Sequence, residues 1–307
     1  MHTAITIDAL KVLDAIDRKG SFAGAAAELF RVPSAISYTV QKLEEDLDIQ
    51  VYDRSGHKAA LTPAGRYLLE EGRTLLEAAE NLAHTTRQVA QGWETRLRIG
   101  FNSLIPADCL FPAVEEFHQL GVPVDVQLVE EVFAGTWDAL QSRRVDMIVA
   151  ADQISKPAGA FTTKPLGEVS FVFAVAANHP LASATKPLPE AEIAQYPAAV
   201  AADTSRSLPP GNAGIFRRQR TLTVSNIDQK IAAQEAGLGV GWLPLGRIHK
   251  QLAQGTLVAK EVVESRAPIG VHLARHSDDR GKALMWFWER LSNDAPLQNW
   301  LKGTGQS

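Results

Sequence analysis

Four side chains able to give and accept hydrogen bonds, Ser34, Ser37, Tyr38 and Gln41, recur at helical spacing just after Pro33. No bulky aliphatic residue shares their face. Serine and glutamine offer both donors and acceptors, and a tyrosine can bond a phosphate or pack on a thymine methyl. That combination suits the reading of base edges in a major groove. The other side of the same segment carries Ile36, Val40, Leu43 and Leu47, an apolar stripe at helical period. Pro33 fits the first turn, where its missing N–H costs nothing. A helix beginning near Pro33 or Ser34, buried by its aliphatic side, is the predicted element.

That helix needs elements to hold it. Ser21 reads as an N-cap, and Phe22, Ala25, Ala26 and Leu29 follow at i, i+3, i+4 and i+7. Small residues on this short helix let a second helix cross it over a tight turn. A preceding helix, about 6 to 18, presents Ala9, Val12, Leu13 and Ile16 and stops at Gly20, completing a three-helix core. A hairpin should follow, which gives the outline of a winged helix-turn-helix. Residues 1 to 93 hold 10 Lys+Arg against 13 Asp+Glu, a balance of −3, so bulk charge does not favour DNA. The distribution does. Glu44, Glu45, Asp46 and Asp48 crowd the end of the second helix of the pair, whereas residues 54 to 66 carry Arg54, His57, Lys58 and Arg66 with no acid. Phosphates would be repelled by the first group and attracted by the second.

From Thr62-Pro63, an N-cap and first-turn proline, Leu61, Leu68, Leu75, Leu82 and Val89 recur every seven residues. A helix of about 30 residues spans about 45 Å, too long to cover its own seam inside a small domain. The heptad favours a helical dimer contact through Leu68, Leu75, Leu82 and Val89, although packing on its own chain is the alternative. Gly65 and Gly72 weaken the helix by about 1 kcal/mol each relative to Ala and permit close helix approach. The expected boundaries are 1–61 for the DNA-binding domain, 62–92 for the linker helix and 93–307 for the remainder.

Beyond Trp93 the pattern becomes strand–helix–strand: Leu97, Ile99 and Phe101 alternate, Leu110, Val114 and Phe117 fall on a helix, and Met147 to Ala150 form a buried strand. A largely parallel α/β sheet is implied. A second unit starts at Phe171 and runs through strands near 197–201 and 221–224, a helix near 226–236 and a strand at 240–243. The strand at 269–274 and a final helix with Leu284, Phe287, Trp288 and Leu291 return to the first unit. Lobe I is then about 94–167 plus 269–300, and lobe II about 168–268, with a ligand cleft between them.

Of the 307 residues, 45% are hydrophobic and 21% charged, and the net charge is −4; this is ordinary globular composition. One cysteine, Cys109, excludes an intramolecular disulfide framework and a multi-cysteine metal site. No apolar run of 18 residues and no leader is seen, so a cytoplasmic, non-secreted protein is expected. GLGVG at 237–241 lacks the third glycine of a dinucleotide fingerprint, since Trp242 stands there, and reads as a helix C-cap entering a strand. The histidines show no zincin spacing, and neither metal nor cofactor is expected.

Taken together, GSFAGAAAEL, SAISYTVQKLEEDLDIQVYDR, LTPAGRYLL, LRIGF, NHPLA and AGLGVGWLP resemble the LysR-type transcriptional regulators over nearly the whole chain. More narrowly, VEEVFAGTWDAL and DTSRSLP look like the activators serving purine-nucleoside and ureide (allantoin) utilisation. The resemblance implies an α/β effector domain of two Rossmann-like lobes, type 2 periplasmic-binding-protein-like, behind an all-α winged helix-turn-helix and a long linker helix. It carries DNA reading onto Pro33, Ser34, Ser37 and Tyr38, with Arg54 in the wing; Gln41, His57 and Lys58 join them from the residue reading. Many family members have Ser-Gln-Pro where this chain has Val32-Pro33-Ser34, so the usual glutamine is absent.

The resemblance also implies an effector site at Asn102, Ser103, Glu131, Phe133, Asp203, Thr204, Ser205, Arg206 and Asn226. Their mixture of donors, acceptors, a forked cation and a stacking face suits a planar polar heterocycle or nucleoside. Glu131 disfavours a polyanion. In the alternative reading Arg206 pairs with Asp203 or Glu131 and simply closes the cleft. A small carboxylate or aromatic acid is the other effector class. Implied partners are double-stranded DNA at a pseudo-palindromic promoter site, a small-molecule effector, a second copy of the chain in a dimer or tetramer, and RNA polymerase. An α/β enzyme is the competing class, but no G-x-S-x-G or P-loop is present; a transporter's solute-binding protein would need an export signal.

Overall fold

A computed structural model describes residues 5–53, 60–209, 211, 215–216 and 219–301. The chain divides into two compact units, Met1–Ala90 and Gln91–Ser307.

In the first unit α1 (Ile7–Lys19) starts at Thr6, whose hydroxyl accepts from the Ala9 N–H at 3.1 Å, and ends at Gly20 in the left-handed conformation. Helix α2 (Phe22–Glu28) is capped by Ser21, which accepts from Gly24 N at 3.0 Å. Helix α3 (Pro33–Leu47) carries Pro33 in its first turn. Val12, Leu13, Ala25, Ala26, Ile36, Val40 and Leu43 form one core, because three amphipathic stripes have only each other to cover them. Leu47, expected inside, is only partly buried: it packs against this core from the last turn of α3. The hairpin is β1 (Tyr52–Asp53) antiparallel to β2 (Ala60–Leu61). Its tip, with Arg54, His57 and Lys58, lies outside the described residues.

Helix α4 (Pro63–Ala90) has 28 residues, about 42 Å at 1.5 Å per residue. Thr62 caps it, accepting from Gly65 N at 2.9 Å. A Cβ at Gly72 would stand 2.7 Å from Leu10 Cδ2, so this glycine lets α4 lie directly on α1. The close approach foreseen for it is thus made within the head. Leu69 is buried and Leu68 half-buried on the same core, whereas Leu75, Leu82 and Val89 are 51%, 69% and 50% exposed.

The second unit opens with β3 (Arg96–Asn102), α5 (Phe111–His118), β4 (Asp125–Glu131), α6 (Gly135–Gln141), β5 (Met147–Asp152) and β6 (Phe161–Val169). Then come β7 (Phe171–Ala176), α7 (Glu190–Ile193), β8 (Ala198–Ala201), β9 (Thr221–Val224), α8 (Ile227–Glu235), β10 (Gly241–Pro244), α9 (His249–Gln254) and β11 (Leu257–Lys260). Finally β12 (Ile269–His276), α10 (Lys282–Ser292) and α11 (Ala295–Leu301) close the chain. Lobe I's sheet runs β4-β3-β5-β12-β6. Its first three strands are parallel, but β12 is antiparallel to both β5 and β6. In lobe II, β7 is flanked antiparallel by β10 and β11, beside a parallel β8–β9 pair.

The expectation of a largely parallel sheet is therefore corrected: the lobe I sheet is mixed, and the three-stranded sheet of lobe II is antiparallel. Strands that cross between lobes arrive without a helical connection, which parallel pairing requires. Phe117, Phe287 and Trp288 anchor the lobe I core, with β12 and α10 in it. Gly237, at φ +71°, ends α8 ahead of β10.

Candidate DNA-reading face and effector cleft

On α3 the side chains of Ser34, Ser37 and Gln41 are exposed, and Tyr38 is 67% exposed. Gln41 Nε2 donates to Glu45 one turn on, at 2.9 Å. The helix cap at Val32 supplies no side-chain oxygen, so the start of α3 keeps orphan N–H character. Two apolar residues were missed by the sequence reading of this face. Phe30, at φ +53°, is 97% exposed in the turn before α3, and Val32 is 63% exposed. Arg31 between them is tied to Asp8, with guanidinium–carboxylate distances of 2.6 and 2.8 Å. An aromatic placed at a helix-turn-helix corner, where Gly or Asn would be the unstrained choice, was the available signal.

The predicted effector residues converge where the chain ends of β3, β4 and β8 meet, but most are already bonded to protein. Asn102 and Ser103 are buried after β3; Asn102 Nδ2 donates to Thr136 Oγ1 at 2.9 Å, and Ser103 N to Glu131 O at 2.9 Å. Glu131, buried at the end of β4, accepts from Arg144 and from the Thr204 hydroxyl. Thr204 Oγ1 in turn accepts from Val132 N at 3.0 Å. Phe133 follows at φ +50° and is half-buried.

The 203–208 segment of lobe II is latched onto α6 of lobe I. Asp203 accepts from Ala134 N at 3.2 Å, Gly135 N at 3.0 Å and Ser205 N at 2.7 Å. Asp138, fully buried, accepts from the backbone N–H groups of Arg206, Ser207 and Leu208 at 3.2, 2.9 and 3.2 Å, and from Arg144 at 2.9 Å. Burial alone would raise the Asp138 carboxyl. The Ser207 hydroxyl, Arg144 and the loop N–H groups outweigh it and hold the group well below the usual carboxylate range. Burial likewise opposes the Arg144 charge, yet Asp138 and Glu131 raise its pKa overall. A Cβ on Gly135 would fall 1.9 Å from Thr204 Oγ1, so only glycine admits the loop this close. Asn226 caps α8 through Gln229 N at 3.0 Å and donates to Glu130 of lobe I at 3.0 Å.

Arg206 departs from expectation. Its side chain is exposed and only its backbone N–H enters the cluster, so it is not the partner of Asp203 or Glu131. Arg144 holds that place. Two buried carboxylates, Glu131 and Asp138, demand a cation nearby, but nothing in the local pattern singles out the second arginine of a turn after α6. Arg144 Nε remains buried without a partner. Among the described residues no group of three or more His, Cys, Asp or Glu could hold a metal, and no helix is long and apolar enough to cross a membrane. Burial, followed by the charge of Asp108, pushes the half-buried Cys109 thiol up to about 12, which leaves it protonated at neutral pH.

Comparison with known proteins agrees with this architecture. Residues 7–66 match the model of the bacterial regulatory helix-turn-helix protein, lysR family, and residues 90–296 that of the LysR substrate binding domain. The chain is 41% identical over 285 residues to the probable HTH-type transcriptional regulator YhaJ of Escherichia coli, covering 92% of this chain and 94% of that protein. It is 32% identical over 294 residues to the E. coli HTH-type transcriptional regulator PunR, covering 95% of each. An OxyR variant from Corynebacterium glutamicum shares the fold at a TM-score of 0.60 and 19% identity, covering 97% of this chain and 94% of that one.

Proposed function

The chain belongs to the LysR family of DNA-binding transcriptional regulators with an effector-binding domain, and from that premise we propose how its own residues divide the work. The start of α3 reads operator bases through Ser34, Ser37, Tyr38 and Gln41, with Pro33 setting the first turn; Arg54, His57 and Lys58 of the wing hold phosphates. The observation that carries this is the exposure of a polar helix face whose opposite side is committed to the core through Ile36, Val40 and Leu43. Leu75, Leu82 and Val89 form the seam between two copies, with Leu68 shared between that seam and the head core. Pairing two readers on a pseudo-palindromic site multiplies weak single-site recognition. A dimer of such dimers, and contact with RNA polymerase at the promoter, complete the proposal.

The effector acts at the latch between α6 and the 203–208 segment. Two carboxylates there, Glu131 and Asp138, pair with one guanidinium, Arg144, and a third, Asp203, accepts from backbone N–H groups of the same latch. An acid excess favours a neutral ligand rich in N–H donors over a carboxylate. The partnerless Arg144 Nε offers a donor to a ligand carbonyl. A purine base, a nucleoside or a ureide has both features, in line with the resemblance of VEEVFAGTWDAL and DTSRSLP, the very segments that build the latch. Binding shifts the lobes only through its differential affinity for their arrangements.

Two measurements test this reading. In a gel-shift assay the double variant Ser37→Ala/Tyr38→Ala should bind its operator about tenfold or more weakly, with effector affinity unchanged; wild-type operator affinity would remove the α3 face from the account. In a thermal-shift panel on the full chain, nucleosides, purine bases or ureides should raise the melting temperature and small carboxylates should not act through the cleft. A Thr204→Ala variant that responds as the wild type does would displace the effector site.

A further inference from the structure

Lobe II contains a groove of about 650 Å³ that none of the predicted effector residues lines. Its floor is aromatic: Phe171, Phe173 and Trp242, with Phe173 and Trp242 ring centroids 5.7 Å apart in an edge-to-face pair. Pro187, Val262 and Val263 wall it, and Val263 is 66% exposed. Beside it the Arg266 guanidinium carbon lies over the Phe171 ring, 3.9 Å from the centroid. Among the described residues no carboxylate stands within ion-pair distance of Arg266, and burial alone lowers its pKa. The other cation of the lining, Lys260, is occupied, donating to Ala182 O at 3.0 Å and to Ala184 O. Glu261 is exposed.

We propose that this groove is a second small-molecule site, for a monoanion with a flat apolar body, whose carboxylate forks onto Arg266 while its ring lies against Phe171, Trp242 and Val263. An unpaired guanidinium held against an aromatic ring is pre-organised for bidentate carboxylate binding, and an apolar groove with one convergent charge is the usual composition of a ligand pocket. The chemistry is opposite to that of the cleft, where acids are in excess, so the two sites select different ligands. Position gives the site a consequence. Phe171 opens β7 one residue after β6, and Arg266 lies between β11 and β12, so the Arg266–Phe171 contact joins the two segments that cross between the lobes. A ligand on Arg266 bears on the hinge itself.

Isothermal titration of the full chain with indole-3-acetate and its neutral isostere indole-3-acetamide tests the site. The acid should bind, and the amide about tenfold or more weakly, the loss of a charge-assisted hydrogen bond. Arg266→Gln should weaken the acid by a similar factor, and Val263→Trp, which fills the groove from its exposed wall, should abolish binding. Arg266→Lys, keeping charge without the fork, should fall between, which guards against a glutamine variant that fails to fold. Thr204→Ala should leave indole-3-acetate affinity within about twofold. Equal binding of acid and amide, undiminished binding by Arg266→Gln or Val263→Trp, or no heat from the acid at millimolar concentration would each overturn the proposal.

Discussion

The proposed recognition helix and the proposed effector cleft are built from the same kinds of side chain and use them in opposite ways. On α3 the serines and Tyr38 point outward with their hydrogen-bonding capacity uncommitted, above a core that cannot rearrange. In the cleft Glu131, Asp138, Thr204 and Asp203 are bonded to one another or to backbone across the lobe boundary, and Asn102 is bonded to Thr136 within lobe I. A reader of DNA can afford exposed polar groups because water satisfies them until bases replace it. A buried cluster must be satisfied internally, since an orphan costs about 1–3 kcal/mol. The first region is an exposed surface; the second is an internally bonded latch, with which a ligand at the proposed site would have to compete.

The contrast can be broken most severely at the proposed seam between copies. Leu75→Glu/Leu82→Glu places four charges in a two-fold contact, and the dimer dissociation constant should rise by about three powers of ten, read by analytical ultracentrifugation; an unchanged dimer would mean that the exposed leucines face solvent in solution. Next comes the latch. Asp138→Asn removes a fully buried carboxylate that accepts from Arg144 and three N–H groups, and should lower stability by about 3–5 kcal/mol in denaturant melts. Because the Asp138 pKa is held below its ordinary 3.8, its contribution is complete above that pH and disappears only as pH falls through the depressed value. Wild type should therefore show no loss from this group between pH 7 and pH 5, titration windows of order one unit being far away.

Lys230 works with the opposite sign. It is buried with its ammonium on Trp242 O at 2.7 Å, and burial, then the field of Arg266, brings its pKa from 10.5 down to about 7. The unfolded chain binds the proton more tightly, so this group's contribution to stability rises with pH between those two values. Lys230→Met should stabilise by about 2–4 kcal/mol below the lower value, after the lost hydrogen bond is set against it. That gain should shrink as pH climbs toward the upper one; a pH-independent gain would show that the lysine is not titrating in the fold. The smallest effect belongs to the head: Ser21→Ala should cost about 1 kcal/mol through the cap of α2, without altering effector response.

How far the chain could be read beforehand differs between these regions for a physical reason. The helices around residues 7–47 were legible because caps, periodicity and a left-handed glycine at position 20 are local signals. The site residues of the cleft could be carried onto the chain by resemblance, but their state could not. Arg144 meets Glu131 and Asp138 only after a turn in which Arg143 takes φ +58°, and Arg206 turns its side chain out. Strands β6 and β11 escaped notice because neither alternates cleanly: β6 includes Lys164 and Pro165 at half-exposed or exposed positions, and β11 is four residues long. The antiparallel arrival of β12 is a matter of which lobe the chain is returning from.

Period and capping thus determined by themselves that a three-helix head with one polar face precedes a long heptad-bearing helix and an α/β body. Those features depend on neighbours within one or two turns along the chain. Only the tertiary structure decided that Leu69 faces the head while Leu75 does not, that Arg144 pairs with Glu131 and Asp138 while Arg206 is exposed, and that among the described residues no acid pairs with Arg266. Each of these depends on distance between segments far apart in the chain, where burial and charge compensation are set by the partner that folding delivers.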